Sequence, residues 1–526
     1  MSNSSNSTVT SPAVTTTASS SPASPASSVP GSNIHANALP AASPAAVIIP
    51  RHASPAAATT STAASAMRDR SDLLFYAALA LLPVDGTILG VQMPYYSPLS
   101  PLLFTAYVIC NTRFVPAALR RFPALPPLFA LLAATSVYGW VSVGVNVTYL
   151  IRTTLALLFG ALTLLSFTIA WSAKRLSMRT TVTVVVCAYG AAFLFGVLTW
   201  LAQPNHLNIP LWRNQLMQLF LRQYFIARPQ FLFAEPSYIG MHLFGLLLPL
   251  FWISRDRRLI ALVVVFAAGS LAMGAGVRIV LDTVVAGALF AVAEIPWGRL
   301  WARMLRDRRL LAGSVLGLAA LVSAGVGLIA TQPRIQTLLA RGLFTGDASM
   351  SARILRTIQP LAAGLHDWPH LLFGFGAGNL AEAMQRGFPY AFDWYRSHGG
   401  LLTEEISEME YPLGPTLNRA GNVFTMDAYA SFIVEFGVLM FAAALALLLW
   451  HVTRWHTWSR TTVCWLLLLA YLYAQFEAYA FPAIWLFIWA CASGAHFGRT
   501  SGARRSRCAS AAHSGIGRRI AVDGLR

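Results

Sequence analysis

Four arginines are the residues of this sequence whose type best suits the binding of an anionic ligand. Arg228 and Arg278 stand at the ends of apolar stretches, and Arg353 and Arg356 stand together in a longer, more polar segment. A guanidinium group stays charged and can donate two parallel hydrogen bonds to a phosphate. These arginines therefore suit a lipid-linked diphosphate. The alternatives are contacts with lipid headgroups and, for Arg278, an ion pair with Asp282 one helical turn further on.

Glu235 is the carboxylate best placed for proton transfer. It lies just before an apolar stretch, where it could act as a general base or orient an arginine. An ordinary helix start is the alternative, because Pro236 suits the first helical position and acidic residues favour helix N-termini. Three further carboxylates stand in or near apolar stretches and could pair with arginines: Asp427, Glu435 and Glu477.

Histidines in the more polar segments are further candidates for bases, because an unperturbed imidazole titrates near neutral pH. They are His206, His366, His370 and His398. None has the spacing of a metal site such as HExxH. His398 is preferred among them, since two glycines and then an acidic run follow it. The acidic run predicts a solvated face, with cation or sugar binding as the alternative, and consists of Glu404, Glu405, Glu408 and Glu410.

The sequence indicates neither a nucleotide cofactor nor a metal. Residues 374–378 read Gly-Phe-Gly-Ala-Gly, but no strand precedes them as in a dinucleotide-binding fold, so a tight turn is predicted. The only lysine is Lys174, which leaves none for a P-loop and disfavours ATP-driven transport by this chain alone. Five cysteines without a CxxC pair support neither a disulfide framework nor a zinc site. We therefore predict no cofactor and no metal.

The elements that must position these residues are membrane helices. Of the 526 residues, 56% are hydrophobic and 11% are charged, and the mean hydropathy is +0.57, whereas a soluble domain carries about 25% charged residues. An ordinary soluble enzyme is therefore excluded. The formal charge of +18 also occurs in nucleic-acid-binding proteins. Most basic residues, however, fall on one side of the predicted membrane map, so orientation explains the charge and we predict no nucleic-acid partner.

Twelve stretches have about the length of a transmembrane helix. We place them at 72–91, 98–112, 124–146, 153–172, 181–202, 237–254, 259–276, 278–295, 310–330, 424–450, 461–477 and 480–497. The predicted fold class is an all-α polytopic membrane protein with about twelve transmembrane helices and both termini in the cytoplasm. Its parts are a disordered cytoplasmic tail (1–67), membrane domains (68–330 and 424–497), an external loop (331–423) and a basic cytoplasmic tail (498–526).

Two external segments are longer than connectors need to be. In residues 203–236, Asn214, Gln218 and Arg222 share one helical face, which predicts a helix lying on the outer membrane surface. Residues 331–423, between predicted spans nine and ten, have a helical pattern near 349–365. Because loops of this length usually carry function, we expect the site in this loop and at the neighbouring span ends.

Several short motifs resemble those of bacterial O-antigen and exopolysaccharide polymerases. Residues 233–240, Phe-Ala-Glu-Pro-Ser-Tyr-Ile-Gly, are similar to the F-x-EPS-x-x-G element of that family. Similar elements follow in the family's order at 274–278, at 349–353, at 374–378, and from Asn422 through Glu435 to Gly437. The resemblance covers about residues 230–440. The related ligases and many polymerases carry a histidine at or beside the Asn position, where Ala420 and Gly421 stand here.

The resemblance implies a GT-C-like integral membrane glycosyltransferase of the bacterial inner membrane, acting at the periplasmic face. Such enzymes join polyprenyl-diphosphate-linked oligosaccharides without a nucleotide sugar or metal, and they invert the anomeric centre. Glu235, Arg278 and Arg353 would be catalytic, with the arginines holding the diphosphate. The substrate-binding residues would be Arg228, Arg356, His398, Tyr390, Trp394 and Tyr395. The three aromatic residues would stack on sugars, and packing of the loop onto the membrane domain is their alternative.

The resemblance also implies partners: the lipid-linked oligosaccharide, the lipid bilayer, a chain-length-determining co-polymerase and a repeat-unit flippase. A ligase that passes the glycan to a final acceptor would share the same site residues. A transporter or flippase, and a scaffold, are alternatives from other classes. The hydropathy pattern has no internal repeat of the kind found in transporters, and a scaffold would need none of Glu235, Arg278 and Arg353.

Overall fold

Apolar segments in lipid must satisfy their own backbone hydrogen bonds, and a helix does so within one segment. The computed structural model accordingly is all-helical in the residues that it describes, which are 69–85, 99–221, 228–330, 333–346, 348–413 and 423–494. The all-α prediction is confirmed for these residues. Both predicted tails, 1–67 and 498–526, lie outside the described residues, as do Arg222 and Asn422.

Helices of the first membrane part are α1 (Ser71–Ala80), α2 (Ser100–Cys110), α3 (Val115–Leu119), α4 (Leu125–Val143), α5 (Val147–Phe167), α6 (Met178–Leu201), α7 (Ile239–His242), α8 (Leu248–Ser254), α9 (Arg257–Ala272), α10 (Val277–Glu294), α11 (Trp297–Arg306) and α12 (Arg308–Ala330). The long loop contains α13 (Pro333–Arg341), α14 (Leu343–Gly346), α15 (Ala348–His366), α16 (Trp368–Phe373), α17 (Leu380–Ser397) and α18 (Glu404–Ser407). The last part contains α19 (Ala428–Phe436), α20 (Val438–Arg454), α21 (Arg460–Tyr473) and α22 (Pro482–Ala492).

Four helical stretches of the described chain are long and apolar enough to cross a membrane: Leu125–Val143, Val147–Ala173, Met178–Leu201 and Pro236–Ser254. Three bent helix pairs raise the number to seven if each pair is one span. These criteria give fewer spans than the twelve predicted from the sequence. Three shorter apolar helices, α1, α21 and α22, accompany them.

The prediction of one continuous span over 424–450 is wrong. Helices α19 and α20 meet there at a bend of 120°. Gly437 between them has φ +87°, a left-handed conformation that suits glycine. A Cβ at this position would come within 2.1 Å of the Leu372 carbonyl oxygen. The chain therefore turns at Gly437 to pack closely against α16.

The predicted helix in 203–236 is present over part of that segment. Among the described residues, helical turns run without a break from Trp212–Leu216 into Met217–Leu219, and Arg222 lies outside the described residues. The segment ends at Pro236, where a single 3₁₀ turn, Pro236–Tyr238, begins and leads into α7. This turn places Glu235 directly at the entrance of an apolar helical stretch.

The described part of the long loop is largely helical. Helix α15 confirms the helical pattern predicted near 349–365, and it packs extensively against α17. Gln359 of α15 is fully buried and its amide donates to the carbonyls of Met384 and Met409 at 2.7 and 2.8 Å. Because a buried amide must find partners, these bonds fix α15 relative to its neighbours. The loop thereby presents α15 side chains in defined positions.

Candidate functional site

A cavity of about 580 Å³ lies where the long loop meets the membrane helices. This volume is typical of small-molecule sites. Its lining combines apolar and aromatic residues with seven charged side chains, which are Arg152, Glu235, Arg356, Glu405, Glu408, Glu435 and Glu477. Two of these, Glu235 and Arg356, are predicted site residues. The fold therefore brings the EPS element and the loop helix α15 to one polar cavity.

Glu235 lies immediately before the 3₁₀ turn Pro236–Tyr238 and lines the cavity. Pro236 opens this turn as the helix-start interpretation predicts, but the Glu235 side chain makes no capping bond to the backbone. Instead, its Oε2 accepts a hydrogen bond from the Ser237 hydroxyl at 2.7 Å. This bond leaves the other carboxylate oxygen available to a substrate or an arginine.

Arg356 is buried, with 3% of its surface exposed. Its Nη2 lies 3.5 Å from Glu405 Oε1, and its guanidinium carbon lies 4.4 Å from the centre of the Phe424 ring. Burial lowers the pKa of Arg356, while the negative charges of Glu405 and Glu408 act in the opposite direction. An arginine remains charged under these conditions. The acidic run predicted as a solvated face thus also contributes two carboxylates to the cavity.

Glu435 is buried in the cavity wall and is held by two donors. Its Oε1 accepts hydrogen bonds from the Thr153 hydroxyl at 2.9 Å and from the Gly378 backbone N–H at 2.8 Å. These bonds join α5, the glycine-rich turn and α19 around one carboxylate oxygen. The sequence indicated Glu435 as a carboxylate in or near an apolar stretch and as part of the element that ends at Gly437, but not as a site residue.

The glycine-rich residues 374–378 form the tight turn that the sequence predicts. The Gly376 N–H donates to the carbonyl of Glu435 at 2.9 Å. Gly378 has φ +85°, and a Cβ there would lie 2.3 Å from the backbone nitrogen of Leu150. The glycines therefore allow close backbone packing against α5 and α19, which accounts for them without a nucleotide.

Glu477 and Arg152 are further charged residues of the cavity lining. Glu477 Oε2 accepts hydrogen bonds from the Thr425 N–H at 2.7 Å and from the Thr425 hydroxyl at 3.1 Å. Arg152 of α5 lies within electrostatic range of Glu477, and its guanidinium carbon lies 5.6 Å from the centre of the Tyr149 ring. Sequence analysis missed Arg152. Its position at the edge of an apolar stretch, the criterion that selected Arg278, would have found it.

Arg278 does not itself line the cavity. It donates through Nη2 to the main-chain oxygen of Gln475, a lining residue. Its Nε is buried and has no hydrogen-bond partner among the described residues. Glu235 and Arg353 both lie within electrostatic range of it. The charges of the other two predicted catalytic residues, Glu235 and Arg353, thus act on Arg278.

The ion pair suggested for Arg278 and Asp282 is not a direct contact. Asp282, which is 1% exposed, accepts a hydrogen bond at Oδ1 from the Tyr471 hydroxyl at 2.8 Å. It acts on Arg278 through its charge rather than by a salt bridge. A Cβ on Gly240 would come within 1.9 Å of Asp282 Oδ2. Gly240, the last residue of the resemblance motif at 233–240, therefore makes room for this carboxylate.

The remaining predicted substrate-binding residues do not line the cavity. Arg228 is exposed, and its carbonyl accepts a hydrogen bond from Gln203 at 3.3 Å. His398 lies against Trp394, with ring centres 4.5 Å apart, on an exposed part of the loop. Arg228, Trp394 and His398 are therefore exposed side chains outside the cavity lining.

Tyr390 and Tyr395 take part in loop packing. Tyr395 is 1% exposed, lies in the loop's apolar core, and donates from its hydroxyl to the Leu401 carbonyl at 3.1 Å. Tyr390 stacks on His366 with ring centres 3.6 Å apart. Tyr395 thus packs within the loop itself rather than against the membrane helices, whereas Tyr390 is 47% exposed.

His370 links the loop to α4 rather than to the cavity. Its Nδ1 lies 2.6 Å from Asp367 Oδ2, and its Nε2 lies 2.8 Å from the Ser142 hydroxyl oxygen. This chain of bonds fixes α16 on α4, next to the glycine-rich turn. No group of three or more histidine, cysteine or acidic side chains among the described residues could hold a metal ion.

Thr153→Val is expected to lower the free energy of unfolding by about 1 kcal/mol, because Glu435 loses one of its two donors while the Gly378 N–H remains. Thermal unfolding of the purified protein in detergent measures this change. Thr154→Val, at an exposed neighbouring position, is the matched control and should change the unfolding free energy much less. Equal stability of both variants would contradict a structural role for the Thr153 contact.

No family model matches this chain, and no curated protein is significantly similar to it.

Proposed function

We propose that this chain is a polysaccharide polymerase that joins polyprenyl-diphosphate-linked oligosaccharide repeat units into an exopolysaccharide or O-antigen chain. The observation that carries the proposal is the cavity that both Glu235 and Arg356 line. The charges of Glu235 and Arg353 also act on Arg278, which donates to the lining residue Gln475. A diphosphate requires several cations, and an acceptor hydroxyl requires a base. This neighbourhood supplies both beside apolar helices, where a polyprenyl chain would lie.

In the proposed reaction, a hydroxyl of the new repeat unit attacks the anomeric carbon of the growing chain. The bond from that carbon to the diphosphate oxygen breaks, and polyprenyl diphosphate leaves with its negative charge. Arg278 and Arg353 stabilise this charge, with Arg356 and Arg228 as further phosphate or sugar contacts. Glu235 takes the proton of the acceptor hydroxyl or orients an arginine. Attack from the side opposite the leaving group inverts the anomeric centre, and no step requires a metal.

The proposed setting is the bacterial inner membrane, with the cavity at the periplasmic face and both termini in the cytoplasm. We propose a GT-C-like architecture of about twelve spans. The short apolar helices α1, α21 and α22 support spans beyond the seven longest candidates. A co-polymerase that sets chain length and a flippase that delivers repeat units are the proposed partners. His398, Tyr390 and Trp394 remain proposed sugar contacts at the loop surface, and buried Tyr395 would need the loop to open.

Deletion of the gene in its host is expected to cause a single polyprenyl-linked repeat unit to accumulate and polymer to disappear. Gel analysis and mass spectrometry of the lipid-linked and surface glycans measure both quantities, and the gene supplied on a plasmid is the control. Full-length lipid-linked polymer that never reaches a final acceptor would indicate a ligase instead. An unchanged glycan would overturn both assignments.

A further inference from the structure

Helix α11, Trp297–Arg306, separates apolar and basic side chains onto opposite faces. In an α-helix, residues four positions apart lie on one face. The apolar face carries Trp297, Leu300, Trp301, Met304 and Leu305. The opposite face carries Arg299, Arg303 and Arg306. Such a division is typical of helices that lie in the plane of a membrane surface.

The apolar face of α11 is not covered by other parts of the described chain. Trp297, Trp301 and Leu305 are 46%, 60% and 65% exposed, and no residue of the helix is buried. Two tryptophans and a leucine exposed side by side form an apolar patch that requires a covering partner. Tryptophan is also the residue type that favours the boundary between lipid and water.

The direction of α11 fits a membrane surface. It follows the apolar helix α10 after a bend of 82°. The Trp297 indole N–H donates to the Ala291 carbonyl at 3.1 Å, which ties the start of α11 to the end of α10. If α10 crosses the bilayer, a helix at nearly a right angle to it lies along the bilayer surface. The next apolar helix, α12, begins at Arg308, shortly after α11 ends at Arg306.

The charge of the segment indicates an anionic partner. Five arginines stand within residues 299–309, against one acidic residue, Asp307. Arg299, Arg303 and Arg306 are exposed, and they take part in none of the ion pairs found within the described chain. A cluster of four to eight basic residues next to a membrane helix attracts acidic lipid headgroups.

We propose that α11 is an in-plane anchor that binds acidic phospholipids. Its apolar face enters the boundary between headgroups and acyl chains, and its arginines pair with headgroup phosphates. The proposal does not depend on the proposed polymerase function. It requires only that α10 crosses a bilayer.

The test uses the full-length protein with its five cysteines replaced by serine, reconstituted in nanodiscs of phosphatidylcholine with one tenth phosphatidylglycerol. Leu305→Cys and Arg306→Cys, neighbouring positions on opposite faces, are labelled separately with an environment-sensitive fluorophore. We expect lipids brominated on the acyl chain to quench the label at position 305, and aqueous iodide to quench the label at position 306. Iodide quenching of both positions, without lipid quenching, would overturn the proposal.

Lipid selectivity is measured with the label at position 305. Brominated phosphatidylglycerol should quench it more strongly than the same amount of brominated phosphatidylcholine. Arg299→Gln with Arg303→Gln should reduce this preference by roughly fivefold for each arginine, because each basic residue near an anionic surface contributes on the order of a fivefold change in association. Arg386→Gln with Arg396→Gln, on the exposed loop surface, removes the same charge and should leave the preference unchanged.

Two results would overturn acidic-lipid binding. Equal quenching by both lipids in the parent protein would mean that the surface is not selective. Protection of position 305 from both lipid and iodide, together with a dimer in detergent, would mean that a second copy of the chain covers the apolar face.

Discussion

Arg278→Ala is expected to abolish polymer formation while the protein remains inserted in the membrane. The guanidinium already gives one donor to the Gln475 main chain, and its buried Nε has no hydrogen-bond partner among the described residues, so in the proposed function it is a donor for the diphosphate. Loss of one preorganised donor at a developing charge reduces rates by about 10²–10³-fold. Arg278→Lys should rescue little, because an ammonium group cannot contact the main chain and a phosphate in a planar fork. Polymer on gels from a complemented deletion strain measures the effect, with protein level measured in the membrane fraction.

Arg353→Ala should have the same effect, whereas Arg386→Ala should not. Arg386 is an exposed loop arginine paired with Glu382 at 2.8 Å, so it controls for the loss of charge. Normal polymer from both Arg278→Ala and Arg353→Ala would refute the diphosphate role. Asp282→Asn tests whether the charge of Asp282 is needed for the fold or for polymer formation. If this substitution abolishes folding, the charge of Asp282 serves mainly to hold the half-buried Arg278 in the fold.

Local sequence patterns were sufficient where local contacts decide the structure. The helix predicted near 349–365 is α15, because its amphipathic spacing acts within the helix itself. The turn at 374–378 follows from its glycines in the same way. Glu235 and Arg356 were found because carboxylates and arginines beside apolar stretches are conspicuous. Their meeting in one cavity could not be predicted from these patterns.

Contacts between distant parts of the chain explain what sequence analysis missed. Thr153 and Glu435, which bond in the cavity wall, are 282 residues apart. The bend at Gly437 depends on the approach of Leu372 from α16, and a glycine within an apolar run gives no local sign of it. Local patterns also do not predict that Tyr395 is buried while Tyr390 is half exposed. The apolar core that buries Tyr395 is assembled from several helices of the loop.

Gly240→Ala is expected to lower the free energy of unfolding by about 1–3 kcal/mol, the usual cost of overpacking a core. The added methyl group would lie 1.9 Å from Asp282 Oδ2, so α7 and α10 must separate or the carboxylate must leave Tyr471. Either change also moves the surroundings of Arg278, so we expect polymer formation to fall with stability. Thermal unfolding in detergent measures the first effect, and complementation measures the second.

Gly287→Ala is the matched control, since a Cβ at this position of α10 meets nothing within 4 Å. It should be neutral or slightly stabilising, because alanine favours a helix over glycine. The cause of the Gly240 effect is isolated by repeating the substitution in an Asp282→Ala background. There the carboxylate is absent, and the Cβ of residue 282, 3.0 Å from the added methyl group, is the part of that side chain that remains. Gly240→Ala should therefore cost less than in the parent, a coupling that neighbouring residues display and distant ones do not. An equal cost in both backgrounds would show that Asp282 is not the group that Gly240 accommodates.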